Sequence, residues 1–293
     1  MAKKKPKAVE FIRALVRDNA LFEALAFMSQ RYDETAIELY NFEDIKKMRI
    51  SALSPSRTRI FIVDLDMDNV FDIKVLGFGK RVHKVFCGVS LHDMRELLRV
   101  IKPQDTVIFG IGGIPEKGKD KTVGISVGSI LLQVTKPNLG TRRFKYNLTL
   151  VSEAFNMDKF KKFVEATVKL DKGILQKLVK EMAKIVKPKD RNATVIEIEF
   201  HPKDAILRFK IEPPFQKEGE EIIYELNDKH IIECGGKGDK ISTRINFAMF
   251  IEMVYVKKNI DVEIQFGQDA PLMMIQNFSD NIEVREVVAP MVK

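Results

Sequence analysis

Any fold for this chain must accommodate a pattern that occurs twice. Four stretches space their apolar residues three and four apart, as helices with one buried face do. They are 18–31 (Leu21, Phe22, Leu25, Met28), 90–101 (Leu91, Met94, Leu97, Leu98, Ile101), 172–186 (Ile174, Leu175, Leu178, Met182, Ile185) and 246–256 (Phe247, Phe250, Met253, Val254). The third follows the first, and the fourth the second, at nearly one offset of about 155 residues, which marks a duplicated unit. The runs VSLHDMRELLRVIKPQDTVIFG and INFAMFIEMVYVKKNIDVEIQFG share the same texture. Ser90 and Asn246 are expected N-caps, because their side chains accept a free amide hydrogen.

Between the helices, segments 59–65, 106–109, 141–150, 194–200, 205–211 and 221–226 read as strands, punctuated by Gly, Pro, Asn and Asp. Segment 141–150 alternates Phe144, Tyr146, Leu148 and Leu150 with Lys145, Asn147 and Thr149, a strand with one wet face. The expected class is α+β: two similar domains, each with two helices packed on mostly antiparallel sheets. The expected layout is a basic flexible tail over 1–8, a first domain over 9–150, a long connector over 151–162 and a second domain over 163–293. Segments 80–82 and 114–126 read as exposed, mobile loops.

At 293 residues the chain is long enough for two cores. A net charge of +8, from 49 basic and 41 acidic residues, points to a polyanionic partner. Cys87 and Cys234 form neither a disulfide framework nor a metal motif, and read as buried thiols of a reducing compartment. No apolar run reaches the about 18 residues of a spanning helix, and MAKKKPK lacks a secretory core.

The residues that carry catalysis are thinly spread. GFGK at 77–80 and GIGG at 110–113 complete no phosphate-binding pattern and are expected to be turns between strands. His83, His92, His201 and His230 lack zinc spacing, and no nucleophile elbow is present. Asp64, Asp66 and Asp68 alternate along a strand end, which suits a solvated face or a metal-dependent nuclease site. The reading is a non-enzyme with no cofactor and no metal, the nuclease staying open as an alternative.

Basic residues are patterned instead. Lys177, Lys180, Lys184 and Lys187 recur three, four and three apart, opposite the apolar stripe of the third helix. Arg95, Arg99 and Lys102 do the same on the second, and Lys257 and Lys258 close the fourth. Such faces suit phosphate contacts that are independent of base sequence and sensitive to salt. The first helix departs from this, offering Glu23, Ser29 and Gln30 outward, with Arg13 and Arg17 upstream as candidate replacements.

Three motifs carry a family resemblance: SALSPSR at 51–57, the VSLHDMRELLRVIKPQDTVIF block, and the ending QFGQDAPLMM…VVAPMV. With them the chain resembles the proliferating cell nuclear antigen (PCNA) family, the DNA sliding clamps of archaea, eukaryotes and some of their viruses. The likeness runs over nearly the whole chain from about Val9. It implies that three two-domain chains join head to tail into a ring, with helices lining the hole and sheets outside. The ring encircles double-stranded DNA as a processivity factor in replication and repair. It holds DNA polymerase and other proteins by a clamp-interacting peptide, is opened by an ATP-driven clamp loader, and does no chemistry. It works inside the cell, in the cytoplasm or nucleoid of an archaeon or virus-infected cell, or in a nucleus.

Carried over by position, the resemblance lines a partner-peptide pocket with Leu53, Arg57, Val151, Phe155, Met157, Pro271, Val287, Ala289 and Pro290. It places the subunit interface at Phe144, Tyr146 and Leu148 on one edge, and at Ile222 and Tyr224 on the other. Val287 stands where the family often has an aromatic residue. The family's matching first helix usually offers basic residues to DNA, and this one does not. A clamp-fold relative that does not slide as a homotrimer, such as a checkpoint-type heteromeric subunit or a viral accessory factor, is the alternative.

Overall fold

The computed structural model describes residues 7–42, 45–78, 82–117, 121–149, 158–212, 222–254 and 260–291. Contacts divide the chain into two compact units: 1–55, 61–155 and 278–284 in the first, and 56–60, 156–277 and 285–293 in the second. The sequence reading did not anticipate the two short exchanged pieces. Most of the expected connector, 151–157, lies outside the described residues, as does most of the basic tail.

The first unit runs β1 (Val9–Val16), α1 (Ala20–Ser29), β2 (Glu34–Phe42), β3 (Ile45–Leu53), β4 (Arg59–Asp66), α2 (Met67–Val70), β5 (Phe71–Leu76), β6 (Lys84–Ser90), α3 (Leu91–Val100), β7 (Thr106–Lys117), β8 (Thr122–Lys136) and β9 (Gly140–Thr149). The remainder runs α4 (Asp158–Lys161), β10 (Ala166–Leu170), α5 (Ile174–Ile185), β11 (Val195–His201), β12 (Ile206–Glu212), β13 (Ile222–Leu226), β14 (Ile231–Gly236), β15 (Ile241–Asn246), α6 (Phe247–Val254), β16 (Val262–Phe266), β17 (Leu272–Ser279) and β18 (Ile282–Val288).

The duplication is visible in strand order. The first unit contains the runs β4-β3-β2-β6 and β5-β1-β7-β8; the second repeats them as β13-β12-β11-β15 and β14-β10-β16-β17. Helices α5 and α6 start 154 and 156 residues after α1 and α3. The two large helices of each unit cover one sheet face. In the second, Leu175, Val179 and Met182 of α5 and Phe247 and Phe250 of α6 share a core with Ile196, Ile198, Phe200 and Phe209. Burying each such side chain contributes about 1.5–3 kcal/mol. In the first, Leu21, Phe22, Leu91 and Met94 meet Ile37, Met48, Phe109 and Ile130 around a residual cavity of only ≈ 10 Å³. The predicted caps are in place: Ser90 Oγ accepts from the Asp93 amide (3.2 Å) and Asn246 Oδ1 from the Met249 amide (3.2 Å). No helix among the described residues is long and apolar enough to cross a membrane.

Several local expectations fail, among them the burial of Cys234, which is exposed while Cys87 is buried. Gly110–Gly113 is not a turn but the middle of β7, where neighbouring backbones come close: a Cβ on Gly113 would lie 2.6 Å from the Val127 carbonyl oxygen. Segment 114–126 is not simply a loop, since Ile114 to Lys117 and Val123 to Val127 pair as an extended β7–β8 hairpin, its tip at 118–120 lying outside the described residues. Ser29 is buried rather than outward, its hydroxyl donating to the Ala26 carbonyl (2.8 Å), whereas Ile185 is 48% exposed. The GFGK glycine at Gly77 does follow a strand, and its α-carbon is tightly enclosed: an added Cβ would stand 1.9 Å from the Glu10 carbonyl oxygen. Gly77→Ala is therefore expected to cost about 1–3 kcal/mol, read as a lowered melting temperature with an unchanged fold by circular dichroism.

Candidate nucleic-acid face and open sheet edges

Helix α5 separates its two faces cleanly. At 3.6 residues per turn, Leu175, Val179 and Met182 fall on one side and Lys177, Lys180 and Lys184 on the other. The former are buried and the latter exposed. Lys187 extends the basic row just past the helix and is also exposed. Lys184 is shared with Glu181 (2.7 Å). The Arg191 guanidinium donates to the Ala183 carbonyl (3.1 Å), satisfying one of the groups that every helix C-terminus leaves free.

The matching layer of the first unit differs. Arg95 is half-buried and spent on structure: Nε donates to the Ser29 carbonyl at the end of α1 (2.7 Å), and Nη2 lies 3.4 Å from Asp33. Arg99 is exposed but paired with Glu96 (3.3 Å). Lys102 is exposed, and its carbonyl accepts from Asn19 (3.1 Å). Glu23 and Asp93 are exposed on the same layer, so its charge is close to balanced. Lys257 and Lys258 lie outside the described residues. Arg95→Ala is expected to cost about 1–2 kcal/mol of stability, seen in a thermal melt, while duplex affinity stays within twofold of the parent. A large loss of affinity at unchanged stability would return Arg95 to the DNA-facing set.

Arg13 and Arg17 do not join the helix layer. On β1, Ala14 and Val16 are buried on the helix side while Arg13 and Arg17 alternate outward to the opposite sheet face; Arg17 lies 3.7 Å from Asp72. Strand alternation could have shown this, because the residues flanking Arg13 are apolar.

Each unit also keeps an open sheet edge. Strand β9 pairs with β8 from Gly140 to Asn147, but with β6 only at Leu148 and Thr149. Strand β13 pairs with β12 alone among the described residues. Beside the β9 edge a cavity of ≈ 270 Å³ is lined by Leu97, Val100, Leu139 and Phe144, and Tyr146 is half-buried near Asp93. Burial and then the Asp93 charge push the Tyr146 phenol up. On β13, Ile222 and Tyr224 are half-buried, Tyr224 beside Glu181 of α5, with burial and then Glu181 raising its phenol. Leu148 is already interior.

The expected partner-peptide residues divide. Within the second unit, the Ala289 amide donates to the carbonyl of Thr58 (2.8 Å), the residue that follows Arg57. Arg57 there is exposed with φ +57°, and Pro271, Ala289 and Pro290 are half-buried. Val287 is only 4% exposed, so it packs the interior and offers no surface. Leu53, in the first unit, is 47% exposed. Val151, Phe155 and Met157 lie outside the described residues.

The aspartate cluster is consumed by its own partners. Arg49 holds Asp64 through two nitrogens (2.6 and 3.1 Å), Lys46 holds Asp68 (2.9 Å), and Asp66 caps α2 by accepting from the Asp68 amide (2.9 Å). Among the described residues no three His, Cys, Asp or Glu side chains stand together as a metal site. The three aspartates that the nuclease alternative would use are thus engaged in two ion pairs and a helix cap.

No protein-family model and no curated protein matches the sequence. Solved structures do match the fold. PCNA from Thermococcus kodakaraensis is 18% identical with a TM-score of 0.66, covering 96% of this chain and 100% of that one. PCNA from Entamoeba histolytica is 14% identical with a TM-score of 0.68, covering 97% and 100%. A. fulgidus PCNA, bound there to the C-terminal region of FEN-1, is 15% identical with a TM-score of 0.64, covering 96% and 99%. The chain has the sliding-clamp fold: two similar domains of helices on mostly antiparallel sheet.

Proposed function

We propose, starting from the clamp fold, that this chain is a DNA sliding clamp: a ring of three copies around duplex DNA that tethers a polymerase and other replication or repair proteins inside the cell. The observation that carries the reading is the pair of open edges. A chain that offers a half-open strand, β9, in one unit and an edge strand, β13, in the other can join copies head to tail, and such a heterologous contact closes when the rotation per copy divides a circle. Pairing β9 of one copy with β13 of the next also removes two edges that otherwise invite aggregation.

Inside the ring, Lys177, Lys180, Lys184 and Lys187 would meet phosphates, with Arg99 and Lys102 as minor contributors and Lys257 and Lys258 as further candidates. The exposed Leu53 and Arg57, the half-buried Pro271, Ala289 and Pro290, and Val151, Phe155 and Met157 of the connector are the proposed peptide-binding residues. The protein acts as a tether and not as a catalyst, and a clamp loader places it on DNA.

Light scattering after gel filtration, across a dilution series at moderate salt, tests the ring. A species near three times the 33.6 kDa chain mass is expected. A monomer at every concentration would instead favour a clamp-fold relative that works in a heteromer, a reading supported by the balanced charge on α1 and α3.

A further inference from the structure

The sheet face turned away from α1 and α3 carries a groove that the clamp reading does not use. Its cavity of ≈ 260 Å³ has Arg13 and Arg143 among its walls and Ile108, Gly110 and Leu131 among its floor. Strand register explains the shape. Arg13, Gly110, Leu131 and Lys145 are consecutive cross-strand partners on β1, β7, β8 and β9, and Leu15, Ile108, Gln133 and Arg143 form the adjacent row. At about 4.8 Å per strand, the basic rims stand roughly 14 Å apart across an apolar trough two strands wide. Gly110 deepens the trough, because a Cβ there would project into it with nothing closer than the Ile12 carbonyl oxygen at 3.4 Å. Leu131 on the floor is 47% exposed.

The guanidiniums on the rims are unengaged by carboxylates. Elsewhere Arg49, Arg59, Arg208 and Arg244 each hold one. Arg13 has no such partner among the described residues, and Arg143 donates only to Gln133 Oε1 (3.1 Å). Glu10 is the one acidic side chain in the groove.

We propose that this face docks an acidic peptide segment of a partner protein, with an apolar side chain on Ile108 and Leu131 and carboxylates on Arg13, Arg143 and Lys145. Guanidinium–carboxylate pairing is the strong, oriented contact that two such rims supply. A trough about one helix or one extended chain wide fits a peptide, whereas a duplex would meet an apolar floor and Glu10.

The test is fluorescence anisotropy on the full chain with a capped, labelled octapeptide, EDLFDELE, against its neutral analogue QNLFQNLQ. The acidic peptide is expected to bind and the neutral one not. Arg13→Glu and Arg143→Glu each weaken binding at least about tenfold. Gly110→Val, which fills the trough, does likewise, and Lys180→Glu leaves it unchanged. Circular dichroism confirms folding, and both arginine variants sit on exposed rims, so the test survives misfolding of the glycine variant. Absence of peptide binding, equal binding of both peptides, or loss only with Lys180→Glu each overturns the proposal. So does a linear duplex that competes with the peptide and is weakened by Arg13→Glu, which would make this a nucleic-acid face.

Discussion

If the chain forms the proposed trimer, Tyr146→Asp on β9, or Tyr224→Asp on β13, is expected to convert it into a 33.6 kDa monomer. Each new carboxylate lands in a half-buried edge position beside an existing acid, Asp93 for the first and Glu181 for the second. Burying it at a strand junction costs about 3 kcal/mol per seam, over a hundredfold in each association constant. Mixing the two variants is the sharper experiment. One chain then keeps only a working β13 edge and the other only a working β9 edge, so a head-to-tail scheme permits a single good seam. The mixture should sediment at twice the chain mass and no higher. A full ring from the mixture, or trimers from either variant alone, would show that the seam lies elsewhere.

The second large effect concerns α5. Reversing Lys177, Lys180 and Lys184 to Glu should lower affinity for a linear duplex by at least about a hundredfold at 100 mM salt. The slope of log affinity against log salt should shrink by about 1.8 to 2.7, because each phosphate contact contributes roughly 0.9 and Lys184 is already shared with Glu181. The loss should be the same for unrelated base sequences, since these contacts read none. Arg99→Glu should cost less than about threefold, its charge being already shared with Glu96. An unchanged salt slope in the triple variant would remove α5 from the DNA-facing surface. Lys177 and Lys180 are solvent-exposed, so melting temperatures serve as the control.

The periodic features were legible in the sequence, and features set by distant partners were not. The buried stripes of α3 and α5, the caps at Ser90 and Asn246 and the repeat offset each follow from neighbours within a few residues or from the chain's similarity to itself. Arg95 looked like an outward basic residue because spacing reports the face of a helix and not what waits opposite. Its partner, the Ser29 carbonyl, is 66 positions away. Gly110–Gly113 misled for a related reason: glycine marks both turns and places where backbones nearly touch, and only the tertiary approach of β8 separates the two. The aspartates at 64–68 were ambiguous until Arg49 and Lys46 were seen to occupy them.

The unlike helices of the two units have a historical implication. A ring assembled from six identical half-length chains would have to repeat every surface residue six times, and each substitution would be felt at every position. Once two copies are fused in one chain, a change in one is no longer echoed in the other. The row of lysines on α5 and the acidic Glu23 at the corresponding helix α1 are what that independence permits: two like halves of one chain with unlike surface charge.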